Sequence, residues 1–100
     1  MGKQLKSAKH LEFVRTKSCC VCGKFGVEAH HLLKPWRGSR GMAMKAGDHN
    51  AIPLCPEHHR LLHHYGSEHK FFEAVKFDKD YGSMVARRLW YISPAYKEVE

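Results

Sequence analysis

The sequence predicts a single α+β domain stabilised by zinc, with two short strands and a short helix at its centre and further helices on either side. Three observations predict it. Metal-ligand residues come as two half-sites, Cys19-x2-Cys22 and Cys55-x2-His58. Two short apolar runs, residues 27–33 (VEAHHLL) and 51–54 (AIPL), suit strands better than helices. The second run leads into CPEHHRLLHHYG, which opens with proline and closes with glycine as a helix does. One hundred residues, 1–100, make one domain. A chain of this length buries a limited core and commonly leans on a metal for stability.

The elements follow in order. Residues 1–6 are a loose basic start. Residues 7–16 place Ala8, Leu11 and Val14 at helical spacing with Phe13 beside them, and Ser7 is a suitable cap. Residues 18–26 (SCCVCGKFG) form a turn of the kind that wraps a zinc ion. The first strand covers residues 27–33. Residues 34–50, rich in glycine and basic side chains, form a long loop, and long loops in small domains are commonly functional. The second strand covers residues 51–54, with Pro53 marking an edge or a bulge. A helix spans residues 56–65: Pro56 fits its first position, Glu57 complements its dipole and Gly66 caps its end. Another helix covers residues 68–77. A last one covers residues 81–92, capped by Asp80, ended by Ser93-Pro94, and striped by Tyr81, Met84, Val85, Leu89 and Ile92.

Seventeen Lys and Arg oppose ten Asp and Glu, a net charge of +7 that favours a polyanionic partner. The first residues, MGKQLKSAKHLEF, lack the apolar stretch of a secretory signal, and no apolar run reaches membrane-spanning length. Three of the four cysteines crowd into residues 19–22, poor geometry for a disulfide framework and good geometry for metal ligation. Thiolate ligands suit a reducing compartment, so the expected location is the cytoplasm, with no membrane partner.

Cys19, Cys22, Cys55 and His58 together make a closed Cys3His set, the composition of a structural zinc site. Cys20 is read as a small buried side chain, although it offers a Cys-x-Cys alternative to Cys19. A second set lies beside the first. His30 and His31 are adjacent in a strand and so face opposite ways. His59 and His63 are four apart on a helix and share a face. His58 is turned by about 100° from His59, so the two serve different ions.

The order CVCG, AHH, a long loop, then N-AIPLC-x2-HH-x3-H resembles the HNH endonucleases, the His-Me finger or ββα-metal nucleases. More narrowly, HLEFVRTKSCCVCG and GMAMKAGDHNAIPLCPEHHRLLH resemble small prophage nucleases related to phage recombination-enhancement proteins. The likeness covers roughly residues 8–90. It implies a zinc-stabilised ββα-metal core that hydrolyses DNA phosphodiester bonds in a phage or prophage setting within a bacterial host. It assigns His30 as a ligand of the catalytic metal, His31 as the general base and Asn50 as the residue that ties the loop to the base strand. His59 and His63 supply the remaining ligands. The family commonly has Asp where this chain has His30, and His49 beside Asn50 stays open as a site residue. Family habit implies Mg2+ or Mn2+, whereas three imidazoles favour Zn2+, Ni2+ or Mn2+.

For phosphodiester hydrolysis, a neutral histidine can take a proton from water near pH 7, and a metal relieves charge on the phosphate and leaving oxygen. Lys34, Arg37, Arg40 and Lys45 are expected to track the DNA backbone. Trp36 either stacks on a base or packs the loop onto the domain. The alternative to an enzyme is a zinc-binding module that recruits DNA or a recombination protein. Such a module needs no His31, His59 and His63 together. The aromatic residues Phe71, Phe72, Phe77, Trp90 and Tyr91 are read as core, with a dimer mate as the other reading.

Overall fold

The computed structural model describes residues 5–37 and 46–99, with side chains through Tyr96. Among the described residues, five helices surround a two-stranded sheet in an α+β arrangement: α1 Ala8–Arg15, β1 Glu28–His31, a 3-10 turn Asp48–Asn50, β2 Ala51–Leu54, α2 Pro56–Tyr65, α3 Glu68–Ala74, α4 Tyr81–Ile92 and α5 Pro94–Val99. The strands are antiparallel, pairing Glu28 with Leu54, Ala29 with Pro53, His30 with Ile52 and His31 with Ala51.

Period-two alternation divides the sheet between two cores. Ile52 and Leu54 join Leu62 of α2, Phe71 and Phe72 of α3 and the buried Cys19 and Cys55. Ala29 and Ala51 pack with Val14 of α1 and Leu89 of α4. β2 is therefore buried along its whole length. Pro53 is tolerated because its amide would face away from the partner strand, where its carbonyl accepts from the Cys20 amide at 3.0 Å.

The helix ends have local causes. Ser7 caps α1 by accepting from the His10 amide, and Gly66 ends α2 in the left-handed region at φ 72°. α3 stops at Ala74, short of the expected residue 77. Lys76 adopts φ 72°, and the Phe77 amide turns back to the Phe72 carbonyl at 2.8 Å. This is a Schellman ending built without glycine, hence unmarked in the sequence. Pro94 closes α4 as expected but also opens α5, since proline suits a first helical position.

Two expectations for α4 need correction. Asp80 makes no side-chain cap; its carboxylate pairs with His69 at 3.0 Å instead. The buried face is Gly82, Ala86, Leu89 and Trp90, while Met84 and Ile92 are exposed. Small residues let the helix approach Phe72 closely, and this proximity sets the face. Phe71, Phe72 and Trp90 are buried as expected, and Tyr91 stays 41% exposed.

Candidate metal centres

The turn at residues 19–24 is closed by two backbone bonds, Gly23 N–H to the Cys19 carbonyl at 2.9 Å and Cys19 N–H to the Lys24 carbonyl at 2.7 Å. It brings Cys19 and Cys22 against the start of α2, where Cys55 and His58 sit one turn apart. Cys22 and Cys55 Sγ lie 3.9 Å apart, and His58 Nδ1 lies 3.2 Å from Cys55 Sγ and 3.9 Å from Cys19 Sγ. Tetrahedral zinc with ordinary bond lengths separates its sulfurs by about 3.8 Å and sulfur from nitrogen by about 3.5 Å. The four donors fit a metal such as zinc, and the sulfur spacing is far beyond a disulfide. Burial opposes ionisation of Cys19, but hydrogen bonds involving Cys55, Cys22 and Val21 outweigh it and bring its thiol down to about 6. Cys20 lies outside this set; burial pushes its thiol up to about 12, which fits a packing side chain.

On the α2 side of the sheet His30, His59 and His63 converge. His30 Nδ1 is 3.1 Å from His59 Nε2, which is 3.3 Å from His63 Nε2. The carboxylates around them decide the tautomers. His30 Nε2 donates to Glu68 Oε2 at 3.0 Å, and His59 Nδ1 donates to Glu28 Oε1 at 2.7 Å. An ionised carboxylate only accepts, so each imidazole spends its proton on its carboxylate. Two lone pairs then face each other across 3.1 Å. Such an approach is unfavourable without a cation between them. Nitrogen ligands on one tetrahedral metal stand about 3.3 Å apart, so the spacing fits an ion. Carboxylate bracing of this kind orients metal-bound histidines and raises their basicity. Burial, opposed by Glu68, holds His30 below the usual histidine range and so neutral. Burial pulls Glu68 the other way, but His30 and the Leu33 and Lys34 amides keep its carboxyl below the usual range.

His31 points to the other face of β1, as adjacent strand residues must. Its Nε2 donates to Asp48 Oδ1 at 2.8 Å, and Asp48 Oδ2 accepts from the Ser7 amide at 2.7 Å. Nδ1 is left with the lone pair. Asn50 is fully buried. Its Oδ1 accepts from the Trp36 amide at 2.7 Å and its Nδ2 donates to the Arg37 carbonyl at 3.1 Å. The Leu32 amide donates to the Asn50 carbonyl at 3.1 Å, so the residue ties the post-strand loop to the base strand.

Trp36 packs onto the domain: its indole N–H donates to the His49 carbonyl at 2.8 Å, and its ring contacts His49 and Tyr91. His49 is buried and bonded to the Arg37 carbonyl, apart from the three converging imidazoles. Lys34 and Arg37 are exposed. Arg40 and Lys45 lie outside the described residues. Sequence reasoning missed Glu28, Asp48 and Glu68. Glu28 carried a signal, being two residues before His30 on the same strand face. Asp48 reaches His31 from beyond the long loop and Glu68 reaches His30 from beyond β2 and α2, and nothing local marks them.

These features define a small α+β domain with a Cys3His set and a separate carboxylate-braced three-histidine set. Residues 2–97 match the family described as a protein of unknown function, DUF968, and the chain belongs to that family. The chain is 35% identical over 77 residues to the uncharacterized protein YdfU of Escherichia coli strain K12. That stretch is 77% of this chain and 19% of the relative, so the chain spans about a fifth of YdfU's length. No solved structure matches the chain. No helix among the described residues is long and apolar enough to cross a membrane.

Proposed function

We propose that this domain is a zinc-stabilised, divalent-metal-dependent endonuclease of the HNH type that hydrolyses DNA phosphodiester bonds. One observation carries the reading. Three imidazoles bring ring nitrogens together on one face of β1, and the adjacent residue, His31, is oriented through its Nε2 by the Asp48 carboxylate on the other face. The succession β1, β2, α2 around these residues and the order of the HNH-like motifs support it. A recruiting module has no use for a carboxylate-braced His31 in addition to such a set.

In this reading His30, His59 and His63 hold the ion. When bound, it supplies Lewis acidity at a phosphate oxygen and charge relief at the leaving oxygen. His31 Nδ1 takes the proton of the attacking water, and Asp48 fixes the tautomer that leaves Nδ1 free to do so. Asn50 holds the loop so that β1 keeps its geometry. Lys34 and Arg37, both exposed, would contact the phosphate backbone in this reading. Mg2+ or Mn2+ suits the HNH resemblance, while the all-histidine donor set extends the choice to Zn2+ and Ni2+. A phage or prophage setting and a recombination-protein partner belong to the same resemblance.

The test is nicking of supercoiled plasmid across Mg2+, Mn2+, Ni2+ and Zn2+. His31→Ala is expected to keep fold, structural zinc and DNA binding and to lose cleavage by about two to four orders of magnitude. Wild-type protein that binds DNA yet cuts neither duplex nor single strands with any of these metals overturns the nuclease reading.

A further inference from the structure

The α4 face beside Trp36 combines charge and aromatic surface. Arg87, Arg88 and Tyr91 are all exposed on this helix, with the two arginines four and three residues before the tyrosine. Residues at those spacings stand side by side on one helix surface. α4 contains no acidic residue. Among the described residues neither arginine has an ion-pair partner. The Tyr91 ring lies 5.9 Å from that of Trp36 and 4.9 Å from that of Tyr96, with Tyr96 edge-on at 86°. These neighbours hold the ring while 41% of the residue stays open to solvent. Trp36 in turn is fixed to the His49 carbonyl and to Asn50, in the same turn as Asp48. A continuous strip therefore runs from exposed Arg37 through Trp36 and Tyr91 to Arg87 and Arg88. It lies on the side of the molecule where Asp48 holds His31.

We infer that this strip binds a single strand of DNA, its phosphates on Arg87 and Arg88 and an unpaired base on Tyr91. The inference rests on the nuclease reading for its choice of DNA. Guanidinium groups without acidic partners suit phosphate, and a held aromatic ring with an open surface suits the face of a base that duplex pairing would keep stacked. A second copy of the chain is the poorer occupant. A two-fold interface on α4 would bring arginines of one copy toward those of the other.

Affinity is read by fluorescence anisotropy on the zinc-loaded protein without added divalent metal, using single-stranded and duplex oligonucleotides over a range of salt. Arg87→Ala with Arg88→Ala is expected to weaken single-strand binding about tenfold or more. It should flatten the log affinity against log salt slope by about 1.4, two phosphates at roughly 0.7 each. Tyr91→Ala should weaken single-strand binding at least fivefold with the slope unchanged, and Tyr91→Phe should restore it, because stacking needs the ring and not the hydroxyl. Arg60→Ala, on exposed α2 surface, serves as the control and should change little. Zinc content and melting temperature verify that each variant is folded. The strip is overturned if the double arginine variant keeps wild-type affinity and slope, or if Tyr91→Ala leaves single-strand binding unchanged. Wild-type protein that binds through the strip and cuts nothing sinks the nuclease reading alone. A cutting enzyme indifferent to these variants sinks the strip alone.

Discussion

His10 shows how one side chain can make stability depend on pH. It sits on α1 with no exposure, edge-on to Trp90 at a ring separation of 5.0 Å. Neither ring nitrogen has a partner among the described residues. Burial pushes its pKa down from 6.5 to about 4; Asp48 pulls upward and His49 adds to the depression. Asp48 and His49 belong to the 3-10 turn against which α1 packs. The sign follows from proton uptake. Between those two values the unfolded chain binds a proton that the folded chain does not, so stability falls as pH drops from 6.5 toward about 4 and the loss levels off below that. His10→Phe keeps a ring against Trp90 and removes the titration. Across melting curves of the zinc-loaded proteins from pH 7 to pH 4, wild type should then lose more stability than the variant. Parallel curves would show that His10 does not carry this dependence. His10 was legible as part of a helix but not as a core residue, because a histidine among Lys9 and Glu12 reads as surface. What was legible at this scale was which Cys and His side chains come together, since Cys-x2-Cys, Cys-x2-His and His-x3-His carry their spacing in the sequence itself.

Among the elements, α4 explains where hydrophobic periodicity misleads. Counting large apolar residues selected Met84 and Ile92, yet the helix packs through Gly82 and Ala86. A Cβ added at Gly82 would lie 2.8 Å from Phe72 Cε2 and 3.4 Å from Leu32 Cδ2. Phe72 cannot easily give way, because Phe71, Phe77 and Tyr81 contact its ring. Gly82→Ala gains up to about 1 kcal/mol of helix propensity. Overpacking costs about 1–3 kcal/mol and should win. A net loss of about 1 kcal/mol or more is expected in urea unfolding; a net gain would mean that α4 shifts freely. α2 was legible from end to end because Pro56 and Gly66 punctuate it, whereas α5 hid behind a proline taken only as a stop.

At the scale of the molecule, the Cys3His set joins the N-terminal turn to the start of α2 across the end of the sheet, in a chain with two modest cores. Metal binding at such a set is coupled to folding. Cys22→Ser should therefore release zinc and lower the melting temperature sharply. Graded chelation of wild type should act in two stages. Metal on the partly exposed three-histidine set should leave first with the fold intact, and zinc should leave afterwards with unfolding. Elemental analysis alongside circular dichroism reads both stages. A zinc-free protein with an unchanged melt would remove the structural role. The α+β architecture was legible because each strand run adjoins a ligand pair. The side-chain frame around the histidines was legible at most at Glu28, since Asp48 and Glu68 join it only when the chain folds.

The adjacency of His30 and His31 also restricts how this chain can change over generations. Their opposite facing depends on counting residues along four-residue β1. One residue inserted ahead of them without a compensating bulge would turn His30 away from α2 and His31 away from Asp48, exchanging the two environments. Drift in length is therefore costly within this strand and cheaper elsewhere. Descendants that keep the site should preserve the interval between the cysteine turn and the histidine pair in step with β2, whatever happens to the identity of the residues between.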